Sequence, residues 1–267
     1  MPSNDKPASI RLIQITDCHL GEEPDSELLG LNTDESLDDV LHLLTATEQR
    51  IDMVVASGDI ASGAHAAAYQ RFPSTVRASI AAPLAWLPGN HDQRDMMRSA
   101  AGDHVLMDYC ELPHWQIILL DSSVPGYEHG DLEEGEFLRL RQYLEACNKP
   151  ALVFVHHQPL PVGSHWIDQY VIRKGQQLLD TLATYSQVKA LVWGHVHQEF
   201  NGHFSHFQLL ATPSTCIQFK PGSYDFALDD CMPGYRWFEL GNDGEFTTGV
   251  ERVAEKHYGI DFQSLGY

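Results

Sequence analysis

From residue 10 onward, short apolar runs alternate with longer stretches whose apolar positions recur every three or four residues. The apolar runs are Ile10 to Thr16, Met53 to Ala56, Pro83 to Leu87, Gln116 to Leu120, Ala151 to Val155 and Val188 to Trp193. Their length and β-branched content predict buried strands. The periodic stretches predict helices over residues 33–49, 64–80, 133–147 and 174–185. In the first of these, Leu37, Val40, Leu41 and Leu44 share one face; in the third, Phe137, Leu140, Leu144 and Cys147 do. Asn32 followed three places later by Glu35 is a helix start signal. After about residue 200 the pattern changes to short aromatic and β-branched segments broken by Gly, Pro and Asn. That predicts an antiparallel finish over roughly 201–252 with no further long helix. Strands alternating with helices imply βαβ units and a largely parallel central sheet. Ligands of such sheets sit outside the carboxyl ends of the strands.

Composition narrows this picture. The chain has 267 residues, 43% hydrophobic, and shows no linker, low-complexity tract or internal repeat. One domain over 1–267, with its core at about 10–252, is therefore expected. The formal net charge of −20 argues against a long nucleic acid as partner, although it leaves room for a small phosphate ligand beside a metal. The first residues lack the apolar core of a signal peptide, and no run approaches the roughly 18 apolar residues of a membrane span. Five cysteines (Cys18, Cys110, Cys147, Cys216, Cys231) are widely spaced and lack a Cys-x-x-Cys. A cytoplasmic protein is expected.

The chemistry lies just after the strands. Asp17-Cys18-His19, Gly58-Asp59, Gly89-Asn90-His91-Asp92, His156-His157 and Gly194-His195-Val196-His197 follow apolar runs in that order. At the same end of one sheet, residues 180 positions apart would converge. If the segment is extended, Asp17 and His19 point the same way and Cys18 packs inward. Gly58 lets the backbone turn tightly, and Asp59 with its two oxygens can bridge two ions. Asn90 offers a neutral oxygen ligand. His91 would lie near the metals without binding them, with Asp92 accepting a hydrogen bond from its ring. The other reading of Asn90 and Asp92 is a helix cap. By strand alternation His156 and His157 point to opposite sides, and His156 is the ligand candidate. His195 and His197 present two imidazoles that can serve two adjacent ions. No Gly-x-Ser-x-Gly elbow, phosphate-cradling Gly-x-x-x-x-Gly-Lys-Ser/Thr loop or Gly-x-Gly-x-x-Gly after a strand competes with this site.

Taken together, these motifs resemble the calcineurin-like metallophosphoesterase superfamily. The stretches Leu12 to Leu20, Trp86 to Asp92, Leu209 to Pro221 and Pro233 to Arg236 further resemble the bacterial class III 3′,5′-cyclic AMP phosphodiesterases. The resemblance implies an α/β fold, a four-layer α/β/β/α sandwich of two mixed sheets. It implies one metal held by Asp17, His19, Asp59 and His197, and a second held by Asp59, Asn90, His156 and His195. His91 would sit beside the phosphate, with His19, Asp59, Asn90 and His197 also at the substrate and Asp92 at the catalytic histidine. Nitrogen and oxygen donors without thiolate suit iron or manganese, and also zinc or cobalt. The implied reaction is hydrolysis of 3′,5′-cyclic AMP to 5′-AMP by a hydroxide shared between two metals. The metal set reads only phosphate, so a broader phosphodiesterase or phosphomonoesterase acting on glycerophosphodiesters or 2′,3′-cyclic nucleotides is the alternative. A non-catalytic scaffold would be expected to lose ligands, and this chain keeps them. The resemblance permits a homodimer.

Overall fold

The computed structural model describes residues 9–102 and 105–266. The amino-terminal stretch weighed above as a signal segment lies outside them, as do Asp103, His104 and Tyr267. The first half runs β1 (Ile10–Ile15), a small hairpin of β2 (Glu27–Leu28) and β3 (Leu31–Asn32), α1 (Thr33–Thr47), β4 (Met53–Ala56), α2 (Ala66–Ser79), β5 (Leu84–Trp86), α3 (Arg94–Ala101) and β6 (Val105–Met107). The second half runs β7 (Tyr109–Glu111), β8 (Gln116–Leu119), α4 (Glu134–Ala146), β9 (Ala151–Phe154), a 3₁₀ turn at Ile167–Tyr170, α5 (Gly175–Ala183), β10 (Val188–Trp193), β11 (Phe200–Phe204) and β12 (Phe207–Ala211). A two-stranded piece, β13 (Gln218–Phe219) with β14 (Leu228–Asp229), precedes the closing hairpin of β15 (Gly234–Leu240) and β16 (Phe246–Arg252).

Two six-stranded sheets form instead of one central sheet. Their orders are β16-β15-β1-β4-β5-β6 and β11-β12-β10-β9-β8-β7. In the first, β1, β4, β5 and β6 run parallel and the β15–β16 hairpin adds to the β1 edge antiparallel. In the second, β8, β9, β10 and β12 run parallel, with β7 and β11 antiparallel at the edges. The expected antiparallel finish is therefore only partly realised, because β12 pairs parallel with β10.

The strands are apolar on both faces because both faces are covered. Ile13, Ile15, Val54 and Ala56 face Leu37, Val40, Leu41 and Leu44 of α1 and Phe72 of α2. Ile118, Val153 and Leu191 face Phe137, Leu140, Leu178 and Leu182 of α4 and α5. Between the sheets, Leu12, Val55 and Ala85 meet Ile117, Leu119, Leu152, Phe154 and Val192. Three apolar layers between four layers of structure give the α/β/β/α sandwich. One buried polar residue crosses the middle: Gln14 Nε2 donates to Ser57 Oγ at 2.8 Å and to the Trp193 carbonyl of the other sheet at 3.2 Å.

The start signal at Asn32 is real, its side chain accepting from Glu35 N–H at 2.8 Å. Helix α3 and strands β6 and β7 lie where no element was expected. Met96, Met97, Ala100 and Ala101 recur at helical spacing, a signal passed over in the sequence; α3 packs against α2, while β6 pairs with β5 and β7 with β8.

Candidate metal centre

The carboxyl ends of β1, β4 and β5 in one sheet and of β9 and β10 in the other meet at one edge of the sandwich. The β1 and β4 loops are zipped together: Asp17 N–H donates to the Gly58 carbonyl at 3.0 Å and His19 N–H to the Asp59 carbonyl at 2.9 Å. The Asp17 carboxylate then crosses to the second sheet, accepting from His195 N–H at 3.0 and 3.1 Å. From β5, His91 N–H donates to Asp59 Oδ1 at 2.9 Å.

All seven expected ligand residues converge. His19 Nε2 lies 3.2 Å from His197 Nε2, and His197 Nε2 lies 3.3 Å from Asp17 Oδ1. His156 Nε2 lies 3.1 Å from Asp59 Oδ2 and 3.2 Å from Asn90 Oδ1. Asp59 Oδ2 is also 3.7 Å from His19 Nε2, so this carboxylate faces both groups. The His195 ring packs 5.1 Å from that of His156, and its Nε2 is buried with no hydrogen-bond partner among the described residues.

The convergence has a different local cause from the one expected. Asp17, His19, Asp59, His195 and His197 all have positive φ, between 46° and 62°. The Asp-x-His and His-x-His segments are left-handed turns, so alternation along an extended chain does not align them. Such backbone costs about 1–3 kcal/mol per residue and persists only where its surroundings fix it. Glycine makes the turns possible. Gly58 sits at φ 100°, and a Cβ at Gly89 would lie 2.1 Å from Asp59 Oδ1. An alanine at position 89 would push the carboxylate out of place.

Second partners orient the rings. His156 Nδ1 donates to the Ser57 carbonyl at 2.9 Å and His197 Nδ1 to the Ile217 carbonyl at 2.8 Å. Both bonds leave Nε2 directed at the carboxylates, the orientation that metal-ligating histidines need. Burial raises the carboxyl pKa of Asp17 and Asp59, but His197 and His156 outweigh it at Asp17, and His156 and His91 at Asp59; both acids end lowered. Burial pushes His19 down to about 3 and His195 well below its usual value. His156 goes the other way: burial opposes its charge, yet Asp59 raises it to about 9. Ionised acids and neutral imidazoles are the protonation states that cations require. The residues therefore fit two metal ions.

Two expectations need correction. Asp92 does not bond to the His91 ring. Its Oδ2 accepts from Gly89 N–H at 3.0 Å and Ile60 N–H at 3.1 Å, and Oδ1 from Ala61 N–H at 3.1 Å. Amides outcompete the ring because the β4 and β5 loops present them together, so Asp92 clamps these loops without capping a helix. His91 Nδ1 lies instead 3.3 Å from the Ser62 carbonyl. His157 does not turn away from His156. The strand ends at Phe154, alternation ends with it, and the two rings stand 4.8 Å apart. His157 Nδ1 contacts Ser122 Oγ at 2.8 Å, and burial holds its pKa well below the usual value.

The segment from Thr212 to Pro221 braces the site. Ser214 Oγ donates to the Asp17 carbonyl at 2.8 Å, and Thr215 N–H to that of Thr16 at 3.0 Å. Cys216 places its sulfur among His19 and His197, each potential ligand atom within 4.8 Å of the others. Burial pushes that thiol up to about 12. Sequence reading missed Cys216 because nothing local marks it; only its place in this segment could have pointed there. Cys18 is packed in the helix-side core, as expected. Among the described residues no helix is long and apolar enough to cross a membrane.

Comparisons with known proteins agree with this geometry. Residues 10–199 match the family described as calcineurin-like phosphoesterase. A Pseudomonas aeruginosa protein named 3′,5′-cyclic adenosine monophosphate phosphodiesterase CpdA is 42% identical over 97% of this chain and 96% of its own. The Escherichia coli K12 protein of the same name is also 42% identical, with the same coverage. A yellow lupin purple acid phosphatase structure superposes with a TM-score of 0.67 at 13% identity, covering 92% of this chain and 52% of that one. A Danio rerio dimetal phosphatase gives 0.60 at 18% identity, covering 92% and 99%. At such identities these two likenesses speak for the fold alone.

Proposed function

Because this chain belongs to the calcineurin-like phosphoesterase family, we propose that it hydrolyses 3′,5′-cyclic AMP to 5′-AMP at a two-metal centre. The observation that carries the substrate is the 42% identity, over 97% of the chain, to a protein named for that reaction. The convergent side chains carry the chemistry.

Asp17, His19, Asp59 and His197 would hold one ion, and Asp59, Asn90, His156 and His195 the other. Manganese or iron suits these oxygen and nitrogen donors, as do zinc and cobalt. When bound, such ions supply Lewis-acid charge to the phosphate oxygens and acidify a water. The rest falls to the protein. Asn90 and His91 line a cavity of about 680 Å³ that can receive the nucleotide. His91 is fixed through its backbone by Asp59 and packs its ring 4.9 Å from that of His19. Water adds to phosphorus and loses a proton to solvent. The bond to the ribose 3′-oxygen breaks, and His91 gives that oxygen a proton. Stabilising charge that develops only during this step raises the rate. The free cysteines, two of them fully buried, suit a reducing compartment and support a cytoplasmic setting.

The test is a turnover panel on protein stripped with chelator and reloaded with Mn²⁺. It uses cyclic AMP, cyclic GMP, 2′,3′-cyclic AMP and p-nitrophenyl esters. Cyclic AMP should be converted to 5′-AMP, and only after reloading. Turnover of the other esters with none of cyclic AMP would overturn the substrate, and full activity in the stripped protein would overturn the metal centre.

A further inference from the structure

The cavity that begins at Asn90 and His91 continues along a wall of carboxylates: Asp95, Asp121, Asp131, Glu133 and Glu136. Arg94 is the cation lining it, and its guanidinium is already paired with Asp121 at 2.9 Å. Glu136 pairs with Arg139, and Asp131 lies 3.6 Å from Lys174 Nζ. Asp95 and Glu133 have no salt-bridge partner among the described residues, and both are exposed. The path to the metal centre therefore carries uncompensated negative charge.

We infer that this wall is a charge filter that favours monoanionic phosphodiesters over dianionic phosphomonoesters at the metal centre. The inference rests on the proposed reaction and deepens it. A cyclic phosphodiester carries one negative charge, and the phosphomonoester it becomes carries nearly two at neutral pH. Both would meet the same metal charge, beside Asn90 at one end of this cavity. The wall repels the product more than the substrate, so it weakens product inhibition and discriminates against monoester substrates. Unpaired charges at the mouth act through water, so their effect is modest and screened by salt. Asp95 opens the first turn of α3 and Glu133 is the N-cap residue of α4 without a side-chain cap bond, so neutralising them leaves the core untouched.

The experiment compares the wild type with the Asp95→Asn/Glu133→Gln double variant and with Glu133→Lys. Each is loaded with Mn²⁺ and assayed at about 20 mM and 500 mM NaCl, where screening lengths differ several-fold. At low salt, kcat/KM for p-nitrophenyl phosphate should rise by about 3- to 10-fold, and the inhibition constant of 5′-AMP should fall by a similar factor. The values for cyclic AMP and for bis(p-nitrophenyl) phosphate, both monoanions, should change by roughly half as much on a logarithmic scale. Both variants change the charge by two units, so their effects should be of similar size, and the differences should collapse at high salt. Equal factors for monoanion and dianion, no change in either, or a change that survives high salt would overturn the filter. A wild type that ignores cyclic AMP would overturn the proposed substrate alone, because the two p-nitrophenyl esters still report the filter.

Discussion

The two sheets bring different chemistry to the same edge. Loops of the first sheet carry both carboxylates, Asp17 and Asp59, together with Asn90 and the imidazoles of His19 and His91. Loops of the second carry the imidazoles of His156, His195 and His197. Neither half holds a complete ligand set. The halves meet through the apolar layer between the sheets and through buried polar bonds, among them Gln14 to Trp193 and Asp17 to His195. Carboxylates from one sheet and imidazoles from the other compose a site that exists only once both sheets have packed. Metal held by both halves would stabilise the packed form.

The most severe way to break this division is Asp59→Ala. Asp59 is the carboxylate within reach of both His19 and His156, at 3.7 and 3.1 Å from Oδ2. It also fixes His91 through the backbone amide. Metal analysis should find both ions lost or weakened, and turnover should vanish. Two full equivalents in the purified variant would show that Asp59 does not bridge.

His91→Ala tests the opposite quality, a residue near the metals that holds neither. Both ions should remain, while kcat falls by roughly 10²–10⁴-fold, the range for a positioned acid. Metal loss with unchanged turnover per loaded site would reassign His91 to the ligand set.

Much of this was legible in the sequence, for reasons that differ between the halves. The apolar runs were long and β-branched, so β1, β4, β5, β8, β9 and β10 could be read directly, and the polar turns after them named the site. The division into two sheets was not legible from periodicity. A strand covered on both faces looks the same whether its second neighbour is a helix or another sheet; only the family resemblance implied the second sheet. The turns themselves misled. Alternation in an extended chain gave the right partners at Asp17 and His19 through the wrong geometry, since both residues are left-handed. Nothing in a dipeptide such as His156-His157 shows that the strand ends at Phe154, before Val155. Cys216 and Ser122 enter the site from other segments, and such meetings are made by topology.

Asp92 is where the comparison can be sharpened most finely, because it lies in the first sheet's loops and touches the chemistry only through them. Its three amide partners belong to the β4 and β5 loops that carry Asp59 and Asn90. In Asp92→Asn one oxygen becomes an amide that cannot accept, so at least one buried N–H loses its partner. The cost should be about 1–3 kcal/mol of stability, read by denaturant unfolding of the metal-loaded protein. Both metals should stay bound, and kcat should fall far less than in His91→Ala, because the loops shift while His91 itself remains. A variant with unchanged stability and a His91-like loss of kcat would return Asp92 to a partnership with the His91 ring. That outcome would require the carboxylate to leave its amides during turnover, and the unfolding measurement would already have shown that leaving them is cheap.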